Sequence, residues 1–487
     1  MKNISRFFII SLLSIVSFSC SEDYFDVNEN QNAASSSTPE LSLPVAQLQS
    51  QAYLSGDYGS LNTLGNIWSY SWAAAGDAIY FTEETKYNVN AIFRGFTFTG
   101  AYLGALNNYK VVEDYTDSNY DNFRAIAKIM KAFHYQYLVD AYGDVPYSEA
   151  LKKSANNRPK YDNAQTIYND LIIQLTQAQQ LIAGTNAQDV VPTVNQDIMC
   201  GGNMAKWARF ANTLKLRILL RQTPKNSSVN FTPVTGNSIG FLGANETVYT
   251  NPGYVNEANK QNPLYAAFGK TVAGDAAANS FATRGTNYAI TKLNSDPRRR
   301  FLFQNVGTNL TSFVGIAQNN PGGPASSALS GVGPGILKGS NQNGIIMQGA
   351  ESLLLQAEAV ARGISIPGVA STLYDNAIQA SFDELGAGNS SAYRVLFAYP
   401  NGSLSQNVEA IIYQKWVALM GTNGFENWVE YRRTGFPTGL PVSTGLGVLG
   451  AGLLPVRLAY PSSEIANNGE NVPVVGSNFT SKVFWQN

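Results

Sequence analysis

The 487-residue sequence predicts a mostly α-helical protein, a scaffold of helix pairs with a loop-rich lobe packed against it. Two observations carry that reading. Apolar residues recur at helical spacing in successive windows, from about residue 122 to 221 and again from 346 to 433. Between them, from about 226 to 343, Gly, Pro, Asn and Ser dominate and the helical period disappears. Helices with a single apolar face each need a neighbour to cover it, which favours stacked antiparallel pairs. No fixed repeat period is sharp enough to define the units.

The first element is a leader. Lys2 and Arg6 give a basic start, and Phe7 to Phe18 form an apolar run interrupted by serines, ending at Ser19-Cys20. Such a run is too short to span a bilayer core of about 30 Å as a mature helix. It reads as a signal peptide of the lipoprotein type over residues 1–19, with Cys20 as the lipidated N-terminus. Two or more acyl chains give stable anchoring. Residues 20–40 are polar and rich in Ser and Asn, a flexible tether from lipid to a single globular body at 41–487.

Within that body, Trp68 and Trp72 are four apart, the spacing of one helical face, and the chain is expected to leave the helix after Gly76-Asp77. The clearest helix is predicted from about 122 to 138, with Phe123, Ile126, Met130, Phe133, His134 and Tyr137 on one stripe. Gly143 and Pro146 end it. Further helices are expected at about 164–182, 206–221, 346–362, 372–385, 408–420 and 425–433. The loop-rich insertion at about 226–343 is threaded with aromatics, including Tyr249, Tyr265, Tyr288 and Phe301, which argues for an ordered lobe.

Composition narrows the function. Net charge is −1, from 33 basic and 34 acidic residues, and charged residues make up 14% of the chain against about 25% in typical soluble domains. There is no electrostatic footprint for nucleic acid. Twenty-six tyrosines and six tryptophans accompany a neutral polar surface. Flat rings beside neutral hydrogen-bonding groups suit hydroxyl-rich ligands, although tyrosine-rich cores have the same composition. With Cys20 lipidated, Cys200 is the only remaining thiol, so an internal disulfide is excluded. His134 is the only histidine, which removes most zinc sites and His-based triads. No cofactor or metal site is expected.

Several segments together resemble the SusD/RagB family of nutrient-binding outer-membrane lipoproteins of Bacteroidetes. They are Tyr142-Gly143-Asp144-Val145-Pro146-Tyr147, Arg158-Pro159-Lys160-Tyr161-Asp162, Lys206-Trp207-Ala208-Arg209-Phe210 through Arg217, the stretch Glu351 to Ala359, Glu426-Asn427-Trp428, Tyr431-Arg432-Arg433-Thr434-Gly435, and Pro455-Val456-Arg457 with Tyr460-Pro461. They occur in family order over nearly the whole mature chain. The resemblance implies a scaffold of tetratricopeptide-like helix pairs. It implies a lipid-anchored surface protein that captures oligosaccharides, or in some members peptides, and passes them to a SusC-like TonB-dependent barrel. Ser21-Glu22-Asp23 is similar to the acidic export tag of such lipoproteins. In the family, rings from loops after the early helices and from the inserted lobe hold the ligand. By that analogy the candidate ligand-binding residues are Tyr80, Tyr87, Asn88, Arg94 and Tyr288.

Catalysis has one opening. Glu426 and Glu430 lie one helical turn apart, about 6 Å between their positions, a distance open to a glycoside hydrolase pair. Arg432 and Arg433 stand beside them, ready to pair, and the family resemblance implies a structural ion-pair cluster and a protein that is not an enzyme. Glu351 and Glu358 flank an apolar run and need cationic partners if buried, with Arg217 or Arg432 as candidates. His134, on an apolar stripe, reads as a core residue.

Overall fold

The computed structural model describes residues 37–486, and one unit runs from Pro39 to the C-terminus. The expected signal, Cys20 and the tether up to residue 36 lie outside the described residues. The helical body begins at Pro39, two residues before the expected boundary.

Ten helices carry the scaffold: α1 (Pro39–Ser55), α2 (Leu61–Trp68), α3 (Asn107–Glu113), α4 (Asp121–Tyr142), α5 (Ala164–Gly184), α6 (Met204–Arg221), α7 (Gly349–Ala361), α8 (Ala370–Leu385), α9 (Leu404–Leu419) and α10 (Gly424–Thr434). Their neighbours follow the chain. α4 packs on α5, α5 on α6, α6 on α7, α7 on α8 and α9, and α9 on α10. α10 then returns to lie against α2, near the start of the body. This pairing is the mostly α, helix-pair class read from the periodicity. The predicted stripe of α4 is buried as expected, from Phe123 through Tyr137.

The α2–α10 contact is a backbone-to-backbone approach. A Cβ on Gly65 would sit 1.9 Å from Phe425 N, and one on Gly424 would sit 2.2 Å from Asn66 N. Glycine is required at both positions because no side chain fits between the helices.

Three predicted details change. Trp68 ends α2, but Trp72 opens strand β1 (Trp72–Ala74), so the two tryptophans do not share a helical face. Both are buried for different reasons: Trp68 packs on Trp428 and Phe93, Trp72 on Phe268. The helix expected from residue 346 starts at Gly349, because Ile346 and Met347 belong to a strand of residues 344–347. Helix α1, not predicted, contains Pro44 and buries Gln47, Ser50 and Gln51 beside Leu43 and Ala46. Its buried face is half polar, which hides it from a hydrophobic pattern.

The loop-rich lobe is tied to the scaffold by short antiparallel pairings. β2 (Val145–Pro146) pairs with β3 (Tyr161–Asp162) within the scaffold; β4 (Val248–Thr250) pairs with β6 (Gly344–Met347). β5 (Thr283–Gly285), from the lobe, pairs with β1, Trp72 opposite Gly285. The lobe builds its own core from Leu264, Phe268, Leu302, Phe303 and Val332 around Trp72 and Trp416 of the scaffold. Among the described residues no helix is long and apolar enough to cross a membrane.

Candidate functional site

The loop after β1 carries an unusual backbone. Phe81, Tyr87 and Arg94 all have positive φ, from 47° to 56°, a left-handed conformation costly for non-glycine residues. Burial sustains it: Phe81, Tyr87 and Arg94 are 1%, 0% and 6% exposed.

Arg94 is the keystone of this loop. Its Nε donates to Glu84 Oε1 (2.9 Å), Nη1 to Gly59 O (2.9 Å) and Nη2 to Tyr58 O (3.0 Å). The guanidinium thereby fixes the turn Gly56-Asp57-Tyr58-Gly59 and lies 5.5 Å from the Tyr58 ring centre. Tyr58 stacks on Phe81 (5.4 Å, 6° between planes) and meets the edge of Tyr80 at 5.3 Å. Burial and the adjacent Glu84 carboxylate push the Tyr58 hydroxyl up to about 12, so the ring stays neutral.

The outcome is a shelf of rings: Tyr58 at 36% exposure, Phe96 at 51% and Tyr80 half-buried. Phe96 lies against Gly59, where a Cβ would meet its ring at 2.9 Å. A recess of 440 Å³ opens beside Tyr58 and Phe96, lined also by Tyr53, Gln49, Asp57 and Thr97. The Tyr80 hydroxyl donates to Asn279 Oδ1, so a residue of the inserted lobe meets the shelf, and Phe281 is exposed two residues further on.

The expected site residues divide accordingly. Tyr80 is on the shelf. Arg94 and Tyr87 are interior side chains: Arg94 is consumed by Glu84 and three carbonyls, and the Tyr87 hydroxyl accepts the Ser443 N–H (2.7 Å) from a fully buried ring. Neither offers a surface to a ligand; both hold the loop that bears the shelf. Asn88 is half-buried at the following turn, donating to Glu83 Oε2. Tyr288 belongs to another cluster, edge-on to Tyr70 and Trp416, with its hydroxyl donating to Thr438 O (3.2 Å). Sequence reasoning missed Tyr58, Phe96 and Asn279. The available signal was Gly56-Asp57-Tyr58-Gly59, an aromatic placed in a glycine-flanked turn.

The carboxylate pair considered for catalysis is a buried ion network. Glu426 and Glu430 are 1% and 3% exposed. Arg221 bridges them, Nη2 to Glu426 Oε2 (2.7 Å) and Nη1 to Glu430 Oε1 (2.6 Å), and Lys415 Nζ reaches Glu426 Oε1 at 2.8 Å. Burial opposes ionisation of both glutamates, but the cations outweigh it. Arg221 and Lys415 hold Glu426 below the usual carboxylate range, and Arg433, Lys415 and Arg221 hold Glu430 well below it. No substrate can reach this pair. Arg433 takes part as expected, whereas Arg432 does not pair with them: it donates to Val456 O and Asp140 O and stacks over Trp428 at 3.5 Å. Glu351 pairs with Arg217 (3.0 Å), one of its two expected partners. Among the described residues no group of three or more His, Cys, Asp or Glu is placed to hold a metal ion.

The stack of helix pairs thus carries a shelf of exposed and half-buried rings at the junction with its loop lobe, beside a recess lined by Asp57 and neutral residues. The sequence model of a SusD-like family, described as "Starch-binding associating with outer membrane", matches residues 44–461. The chain belongs to this SusD-like family. Similar solved structures include a chitin-binding protein (25% identity, TM-score 0.75, covering 91% of this chain and 99% of its own). A chitin-binding SusD homologue from Flavobacterium johnsoniae shares the fold at 21% identity and a TM-score of 0.77, covering 92% of this chain and 98% of its own. So does a SusD homologue from Bacteroides uniformis, at 23% identity and 0.76, covering 92% and 99%. No curated protein matches the sequence.

Proposed function

We propose that this chain is a surface lipoprotein that captures neutral oligosaccharides on the Tyr58–Tyr80–Phe96 shelf and hands them to a SusC-like TonB-dependent barrel. The observation that carries the reading is the shelf itself: exposed neutral rings, held rigid from beneath by the buried Arg94–Glu84 pair. Tyrosine and phenylalanine faces stack on the apolar face of a sugar ring, and Asn279 and Thr97 lie close by as neutral hydrogen-bonding residues. The family's description as starch-binding and the chitin-binding relative at 25% identity support the ligand class.

Anchoring through acylated Cys20 at the outer membrane is part of the same reading, with residues 20–38 as the tether. Binding without chemistry follows from the locked state of Glu426 and Glu430. A peptide ligand is the alternative within the family. It calls for charged or backbone-pairing groups, and among the described residues the only charged side chain lining the recess is Asp57.

The test is calorimetry on the soluble chain beginning at Ser21, with chito- and malto-oligosaccharides, beside a Tyr58→Ala/Tyr80→Ala variant. The expected outcome is saturable binding without product release, weakened at least tenfold in the variant. Binding of peptides alone, or undiminished sugar binding by the variant, overturns the proposal.

A further inference from the structure

A second recess lies between α9, the short helix Ser391–Leu396 with the chain that follows it, and the turn at Pro437-Thr438. Its volume is 570 Å³, within the roughly 300–1,000 Å³ of ordinary small-molecule sites. Gln406, Glu409, Ala410 and Tyr413 line it from α9, at the spacing of one helical face.

Two of its rings are partly open to solvent. Phe397 and Tyr413 are half-buried and nearly parallel, 11° between planes with ring centres 6.3 Å apart. Both are held from behind. Phe397 stacks on the buried Tyr393 at 4.4 Å, and its carbonyl accepts from the Tyr374 hydroxyl at 3.0 Å. The Tyr413 hydroxyl donates to Lys292 O at 3.1 Å. Leu396 and Pro400, both exposed, extend the apolar surface to the rim.

The polar groups around these rings can be reached and have spare bonding capacity. Gln406 is exposed; its Oε1 accepts the Ser403 N–H and hydroxyl, which leaves the Nε2 donor without a partner among the described residues. Glu409 is half-buried and takes the Thr438 hydroxyl on Oε1 at 3.2 Å, so Oε2 is an open acceptor. Lys292 is exposed, and its Nζ forms no ion pair among the described residues; it rests 5.6 Å from the Tyr288 ring centre. Tyr288 also steadies the opposite wall by donating to Thr438 O. Lys292 and Glu409 are the two charged residues of the lining, and their charges cancel.

We propose that this recess is a second binding site, for a neutral sugar of about disaccharide size. A sugar ring has an apolar face and a hydroxyl edge. The apolar face fits against Phe397 and Tyr413, while the edge meets donors on Gln406 and Lys292 and an acceptor on Glu409. A recess with no net charge gives no advantage to an ionic ligand. The ligand class rests on the proposed function, whereas the place does not: no residue lines both this recess and the one beside Tyr58.

Saturation-transfer NMR titration tests it, using the soluble chain from Ser21 with maltose, cellobiose and N,N′-diacetylchitobiose in turn. At least one disaccharide should bind the Tyr58→Ala/Tyr80→Ala variant. In that background Phe397→Ala should raise the Kd at least tenfold. Phe397→Ala also opens a gap beside Tyr393, so Lys292→Ala, at an exposed side chain with no ion pair, is the second probe and should raise the Kd at least threefold. The proposal is overturned if no disaccharide binds the shelf variant, or if either added substitution leaves the Kd unchanged. Binding that vanishes with the shelf variant alone sinks this site and keeps the shelf. Binding that ignores the shelf variant but falls with Lys292→Ala does the reverse.

Discussion

Arg433 grips Glu358 with both arms, Nη1 to Oε1 and Nη2 to Oε2, each at 2.7 Å, and so joins α10 to α7 through the interior. Both side chains are 1% exposed. Arg433 Nη2 also meets Glu430 Oε2 at 2.6 Å, which extends the pair into the network around Arg221 and Lys415.

Breaking one side of this pair strands a charge in the core. Glu358→Gln and Arg433→Met should each destabilise the fold by about 3–5 kcal/mol. Glu358→Gln/Arg433→Met, with both charges gone, should cost less than the two single losses added together. Urea unfolding of the three variants checks this, and strict additivity would show that the pair is not coupled.

The α2–α10 contact sets a second expectation. Gly65→Ala places a methyl group where Phe425 N and Gly424 C already stand at 1.9 and 2.0 Å. Helices cannot part there without moving Trp68 off Trp428, so the variant should lose about 3 kcal/mol or more, beyond the usual overpacking cost. Ala substitution at Gly100, where no atom lies within 4 Å, should leave the thermal midpoint nearly unchanged.

Tyr87→Phe separates support from contact. Removing the hydroxyl leaves the buried Ser443 N–H without its acceptor, a cost of about 1–3 kcal/mol. Sugar affinity should stay within twofold of the parent by calorimetry, because the ring never reaches the surface. A large affinity loss with unchanged stability would return Tyr87 to the contact surface.

His134 predicts how the fold responds to acid. The ring is fully buried, and burial drives its value from the ordinary 6.5 down to about 3. Nε2 meets Ser50 Oγ at 2.7 Å, and Nδ1 has no partner. Tyr53 and Tyr109 face the ring, and burial pushes both phenols up, so neither supplies a charge. Between pH 6.5 and 3 the unfolded chain binds a proton that the folded chain does not, so this residue lowers stability as pH falls through that window. Glu358, Glu426 and Glu430, held low, add a loss below the ordinary carboxylate range as their own folded values are approached. Burial raises Glu351 and Asp140, which act in the opposite direction. Urea midpoints from pH 7 to 5 should fall more steeply in the parent than in His134→Asn; equal slopes would exclude the histidine.

Much of the scaffold was legible because periodicity survives wherever a helix buries one apolar face. The helices from α4 to α10 follow their predicted stripes to within a few residues. α1 and α2 escaped because polar side chains interrupt what they bury, Ser42, Gln47, Ser50, Gln51 and Ser55 in α1 and Asn62, Thr63 and Asn66 in α2, some of them satisfied by partners far along the chain. Asn62, for example, donates to Gly421 O across 359 residues. Tyr80 is legible as a candidate because it follows an expected helix end, whereas its neighbours Tyr58 and Asn279 are not, since nothing local marks them as its partners.

The sequence by itself determined the helix-pair class, the low and balanced charge and the family, because each depends on local spacing or on composition. Only the tertiary structure decided which aromatics face outward. Tyr80 and Tyr87 are seven residues apart and alike in chemistry, yet one lies half-buried against Asn279 and the other is sealed beneath Ser443. That difference arises from packing between segments hundreds of residues apart, and short-range pattern carries no record of it.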